Sequence, residues 1–183
     1  MVADTKGKSI VIEKTKEGLK AYKNPIGVLT NSPTFDWHLT NLNEYMKVTP
    51  IQPEPLKWGD KELKPLGVGM GTKGLPGGLS GVDRFVRISY LKAQYSKSED
   101  LMSGISQFFH MLNNVAMPKG AVISEGLDDI TIYTSCMCQE KGIYYYSTYN
   151  SGINAIDMHK ENLDAKEIKR FDYIDKLNII YQN

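Results

Sequence analysis

Two cysteines and three histidines in 183 residues, a formal net charge of +1 and the absence of any long apolar run each exclude something. A membrane-spanning helix needs about 18 or more consecutive apolar residues, and no run here approaches that length. The balanced charge gives no electrostatic footprint for nucleic acid or for an anionic membrane. Met1-Val2-Ala3-Asp4 has neither the basic n-region nor the apolar h-region of a secretory leader. Cys136 and Cys138 are separated by one residue. On a strand they would share a face, and a bridge at that spacing would strain the backbone, so reduced thiols in a cytoplasmic protein are expected. His38, His110 and His159 have no carboxylate or cysteine at a ligand spacing. Cys136-Met137-Cys138 offers at most two of the four ligands a zinc site takes, so no metal is expected. His110, beside Phe108 and Phe109, reads as a core histidine.

What is present is ordinary for a globular chain: 41% hydrophobic and 23% charged residues. A chain of this length buries about 70% of its unfolded surface, enough for one domain. Residues 7–13 read as a strand and residues 19–22 as its hairpin partner across Lys16-Glu17-Gly18. From 47 to 80 the chain carries five prolines and many glycines, and structureless connections of that length are usually functional or interfacial. Within it, Gly69-Met70-Gly71-Thr72-Lys73-Gly74 satisfies G-x-G-x-x-G. That motif binds a dinucleotide only when a helix opens behind it, and Leu75-Pro76-Gly77-Gly78 opens none, so no cofactor is expected. Ser80-Gly81-Val82-Asp83 has the form of a capping box for a helix reaching about Tyr95, and Ser98-Glu99-Asp100 caps a second with Leu101, Ile105, Phe108, Phe109 and Leu112 apolar. Residues 130–138, 142–149 and 153–158 predict three strands joined by hairpin connections, and Phe171-Asp172-Tyr173 a further one. Tyr144-Tyr145-Tyr146 fall within them and read as sheet-face packing. Strand-rich ends around a helical middle predict an α+β domain.

The stretch around which the rest is organised runs from Gly27 to Tyr45. It reads as a short buried strand at Val28-Leu29, a polar corner through Asn31-Ser32-Pro33, and an amphipathic helix with Phe35, Leu39, Leu42 and Met46 on one side. Asn31 lies where a strand ends, a place where α/β proteins often put chemistry. The local alternative is an Asx turn, with the amide bonding its own backbone.

The segments "NPIGVLTNSPTFDWHLTNLNEY" and "GLPGGLSGVDRFVR" resemble the choloylglycine hydrolase family, which comprises conjugated bile salt hydrolases and penicillin V acylases. The likeness runs on through "QFFHMLNNVAMPKGAV", "ITIYTSCMC" and "GIYYYSTYN", and covers little more than the second half of the family's length. The resemblance implies the second half of an Ntn-hydrolase αββα sandwich of antiparallel sheets, with Met1 standing where the family has an internal residue. It implies an amidase acting on small-molecule amides, penicillin V or a conjugated bile salt. Ser32 and Trp37-His38 look closer to the penicillin V acylase-like branch of Gram-positive bacteria. The family's nucleophile is an N-terminal cysteine whose own amine is the base, and that half is absent from these residues. Two of the family's site residues carry over: Asn31, a side-chain donor to the oxyanion, and Arg84, an arginine beside the thiol. The resemblance also implies a homotetramer embraced by the 47–79 loop, with Trp58 and Leu63 as contact residues. The chain alone is expected to be inactive; a non-catalytic remnant or assembly module of the same fold is the alternative.

Overall fold

The computed structural model describes residues 1–4 and 6–183, and they form two compact units, Met1–Lys97 and Ser98–Asn183. In the first, β1 (Val2–Ala3), β2 (Ser9–Thr15) and β3 (Gly18–Lys23) form an antiparallel sheet in that order. The β2–β3 register pairs Val11 with Tyr22 and Thr15 with Gly18, so the hairpin lies where the alternation places it. Val11 points inward and is fully buried, whereas Ile10 and Ile12 on the opposite face are exposed. Helix α1 (Phe35–Asn41) and a 3-10 turn at Leu42–Tyr45 follow. Thr34 caps α1 by position only, and the Phe35 N–H is instead taken by the Glu13 carboxylate of β2 at 2.9 Å. Asp36 in the first turn is held below the usual carboxylate range by the Thr34 hydroxyl.

Two expectations for this stretch fail. Val28-Leu29 is not a strand: Asn24 Nδ2 donates to the Val28 carbonyl at 3.0 Å while Asn24 Oδ1 accepts from Gly27 N–H at 2.7 Å, so a buried asparagine replaces a ladder. Met46 is exposed, because the tighter 3-10 turn advances each residue further round the axis than an α-helix does and carries position 46 off the apolar stripe.

The proline-rich segment contains a small hairpin, β4 (Leu56–Trp58) with β5 (Lys61–Leu63), on which Trp58 is exposed and Leu63 half-buried. Within the glycine motif, Gly71 packs against backbone. The Gly71 carbonyl accepts from Thr49 N–H at 3.0 Å, and a Cβ on Gly71 would run into the backbone carbonyls of Thr49 and Ile51. Gly71→Ala is therefore expected to cost about 1–3 kcal/mol through forced backbone movement, read as a lower denaturation midpoint at unchanged m-value.

Helix α2 (Gly81–Ala93) starts as the capping pattern predicts: Ser80 Oγ accepts from Asp83 N–H and donates to the Asp83 carboxylate. It buries Phe85 and Val86, and Phe85 meets Val11, Val28 and Phe35 in the core of this unit. Phe35 and Phe85 sit edge to face, centroids 6.3 Å apart.

In the second unit, α3 (Leu101–Asn113) is capped by Asp100, which accepts from Ser103 N–H. Two short strands, β6 (Ile123–Ser124) and β7 (Leu127–Asp128), pair around Glu125-Gly126. Then β8 (Tyr133–Cys138), β9 (Ile143–Thr148) and β10 (Asn154–Asp157) make an antiparallel meander ordered β10-β9-β8. Ile105 and Phe109 of α3 pack on Tyr145, with Cys136 and Cys138 on the same face; both cysteines are free thiols. Tyr144 and Tyr146 stack on the opposite face at 6.0 Å. His110 is exposed, not core: with Ile105 and Phe109 inward at i, i+4, a residue 100° further round faces away.

The expected strand at Phe171-Asp172-Tyr173 does not form. Side chains hold the tail in place of a ladder: Asp175 accepts from the Thr148 hydroxyl at 2.7 Å and from Asn150 N–H and Nδ2, and Tyr173 donates to the Ile132 carbonyl. These donors hold the Asp175 carboxyl below its ordinary range, the Thr148 hydroxyl first among them. A depressed carboxyl stabilises the folded arrangement above its unfolded pKa and loses that contribution as pH falls through the folded value. The tail is thus expected to loosen on acidification below the ordinary aspartate range, seen as faster proteolysis after residue 160, and Asp175→Asn should remove that pH dependence.

Candidate active site

The candidate site lies wholly in the first unit, where the corner Thr30-Asn31-Ser32-Pro33 meets the start of α2. Val28, buried, anchors one side of the corner in the core. The Thr30 hydroxyl donates to the Gly81 carbonyl at 3.1 Å. Gly81 permits this approach: a Cβ there would stand 3.3 Å from the Ser32 carbonyl oxygen, closer than most Cβ contacts, and would touch Asn31 Cβ at 3.4 Å.

Asn31 and Arg84, 53 residues apart, are brought into direct contact. Arg84 Nη2 donates to Asn31 Oδ1 at 2.8 Å, and Arg84 Nε donates to the Leu79 carbonyl at 3.1 Å. The guanidinium is therefore fixed at two points and half-buried. An amide oxygen facing a guanidinium leaves the amide nitrogen on the other side. Among the described residues, Asn31 Nδ2 has no acceptor, and the residue is exposed. The Asx turn is not formed, since Oδ1 faces Arg84. One turn along α2, the buried Arg87 donates through Nη1 to the Pro76 and Gly78 carbonyls, 2.8 Å each. It ties down the chain leading into Leu79 and so supports Arg84 from behind.

A third contact went unseen in the sequence. His38 Nε2 lies 2.9 Å from the Asn31 main-chain carbonyl. Its ring is 1% exposed, 4.8 Å from the Phe85 ring centroid and tilted against it by 31°. Seven residues separate His38 from Asn31, and no spacing rule for metal or acid–base work covers that pair. The one available signal was a histidine between Phe35 and Leu39 on an apolar helix. Among the described residues no three His, Cys, Asp or Glu side chains form a metal-binding group.

The thiols lie in the other unit. Burial, and secondarily Cys138 nearby, pushes the Cys136 thiol up, which lowers its thiolate fraction and its reactivity.

An exposed amide with its oxygen held by a fixed cation is an arrangement suited to donating toward a developing negative charge. The family model of linear amide C–N hydrolases, choloylglycine hydrolase family, matches residues 1–171. The chain belongs to this family. It is 51% identical over 185 residues to the bile salt hydrolase/transferase of Clostridium perfringens, covering 100% of this chain and 56% of that protein. It is 45% identical over 170 residues to the bile salt hydrolase/transferase of Lactiplantibacillus plantarum, covering 92% and 52%. A crystal structure of a mutant conjugated bile acid hydrolase from Clostridium perfringens superposes with a TM-score of 0.89 at 51% identity, over 98% of this chain and 55% of that one. The penicillin V acylase of Agrobacterium tumefaciens superposes at 0.62 with 27% identity, over 86% and 44%. The α+β class, with antiparallel sheets of the Ntn-hydrolase type, is shared with these solved structures. The chain spans about half the length of the relatives it matches. No helix among the described residues is long and apolar enough to cross a membrane.

Proposed function

We infer that these residues form the oxyanion-binding side of a linear-amide hydrolase site, with Asn31 Nδ2 as the donor and Arg84 as the residue that orients it and flanks the thiol. The observation that carries this is the 2.8 Å bond from Arg84 Nη2 to Asn31 Oδ1. In amide hydrolysis by a thiol, the sulfur gives its proton to a base and attacks the carbonyl carbon, and the carbonyl oxygen becomes negative. The C–N bond breaks as the amine leaves with that proton, and water then cleaves the thioester to release the acid and the thiol. A donor already in place at that oxygen lowers the barrier without reorganisation. A guanidinium next to the sulfur raises its thiolate fraction. The nucleophile comes from outside these residues, as the resemblance implies.

Conjugated bile salts are the favoured substrates. Relatives named for them reach 51% and 45% identity, against 27% for the penicillin V acylase; this runs opposite to the reading from Ser32 and Trp37-His38. The exposed Trp58 of the 47–79 segment, with the half-buried Leu63 on the paired strand, suits a contact between subunits of a cytoplasmic homotetramer.

The 183-residue chain by itself is expected to leave glycocholate and penicillin V intact, because neither Cys136 nor Cys138 carries a free amine. Joined to the unmatched portion of the Clostridium perfringens enzyme, it is expected to release glycine from glycocholate. Hydrolysis by the chain alone would overturn the assignment of the nucleophile. A folded, inactive chimaera would favour the non-catalytic module.

A further inference from the structure

We propose that His38 is a positioning residue for Asn31, a buried imidazole that fixes the main chain of the oxyanion donor. The proposal rests on the amidase reading for its purpose, while the clamp itself rests on geometry alone.

Asn31 is held at two atoms by groups from different elements. Arg84 of α2 holds Oδ1, and His38 of α1 faces the main-chain oxygen at 2.9 Å. A carbonyl oxygen can only accept, so Nε2 carries the hydrogen of this bond. Nδ1 is buried and has no partner among the described residues. An unpaired polar nitrogen inside an aromatic core is a stability loss. An apolar ring at 38 would avoid that loss while filling the same space against Phe85 and Trp37, which lie 4.8 and 5.5 Å away by ring centroids. What the imidazole provides that an apolar ring would not is the Nε2 donor to Asn31. Two points fix an amide plane more closely than one: with the carbonyl released, the backbone at Asn31 can pivot about the Arg84 contact and carry Nδ2 off its line.

The test compares wild type, His38→Phe and His38→Gln in the 183-residue chain labelled with ¹³C and ¹⁵N. The Asn31 carbonyl and side-chain amide resonances are read alongside thermal unfolding. Phenylalanine keeps the shape without the donor, and glutamine restores an N–H at similar reach. The expected result is a displaced Asn31 carbonyl signal and a broadened Nδ2 pair in His38→Phe, with Tm at or above wild type, and both signals restored in His38→Gln. Asn31 signals unmoved in His38→Phe, or as displaced in His38→Gln as in His38→Phe, would overturn the proposal. If His38→Phe fails to fold, the glutamine variant decides alone: wild-type Asn31 signals support the clamp, displaced ones refute it. In the active chimaera His38→Phe should lower kcat with KM held and His38→Gln should recover it. A chimaera without activity sinks the amidase reading and leaves the resonance results standing.

Discussion

Asn31→Ala in the chimaeric enzyme is expected to lower kcat for glycocholate by about 10²–10³-fold, the usual loss for one oxyanion donor, with KM little changed. The loss falls on kcat because the donor acts on charge that exists only in the transition state. Asn31→Asp should fall at least as far. A carboxylate keeps an oxygen for Arg84 but has no hydrogen to give, and it sets a negative charge where the intermediate's own charge forms. Initial-rate kinetics of the two variants beside the parent check this. A KM effect with kcat intact would mean that Asn31 binds substrate and does not stabilise the oxyanion.

Phe85→Ala should cause the largest loss of stability, about 3–5 kcal/mol for a fully buried phenylalanine. Phe85 is 0% exposed and joins Val11 of β2, Val28 of the corner and Phe35 of α1 in one cluster. Native domains hold only about 5–15 kcal/mol in total, so this one ring supplies a large share of the margin that keeps the first unit folded. Denaturant unfolding followed at a probe in Met1–Lys97 reads the loss directly. Because His38 rests on the same ring, the variant should also loosen Asn31 under conditions where it remains folded. Phe85→Leu, which fills part of the space, should recover part of both.

Local physics accounts for which features were legible in the sequence. The β2–β3 hairpin, the Ser80 cap and the Asp100 cap each depend on residues within a few positions of one another, and all three formed at the expected places. The resemblance points to Asn31 and Arg84; their mutual bond spans 53 residues, a separation beyond any spacing pattern. The buried histidine is His38 and not His110 for a similar reason. Sequence shows each beside aromatics, but helix rotation decides which one turns inward, and only His38 meets a main-chain carbonyl in the core. Val28-Leu29 has strand composition without a ladder partner, its carbonyl having gone to Asn24. The 171–173 tail has strand composition too, yet the Asp175 and Tyr173 side chains fix its path. Gly71 matched a phosphate-loop pattern because backbone crowding at Thr49 and Ile51 demands the same residue type.

The central claim is that Arg84 and Asn31 work as one unit, the guanidinium setting the amide and the amide meeting the oxyanion. A double-mutant cycle on kcat in the chimaera, with Asn31→Ala, Arg84→Met and the pair, tests it most directly. Coupling of about 0.5–3 kcal/mol is expected between groups in contact, so removing Asn31 after Arg84 should cost less than removing it first. Losses that simply multiply would contradict the account and leave Arg84 and Asn31 as neighbours acting independently.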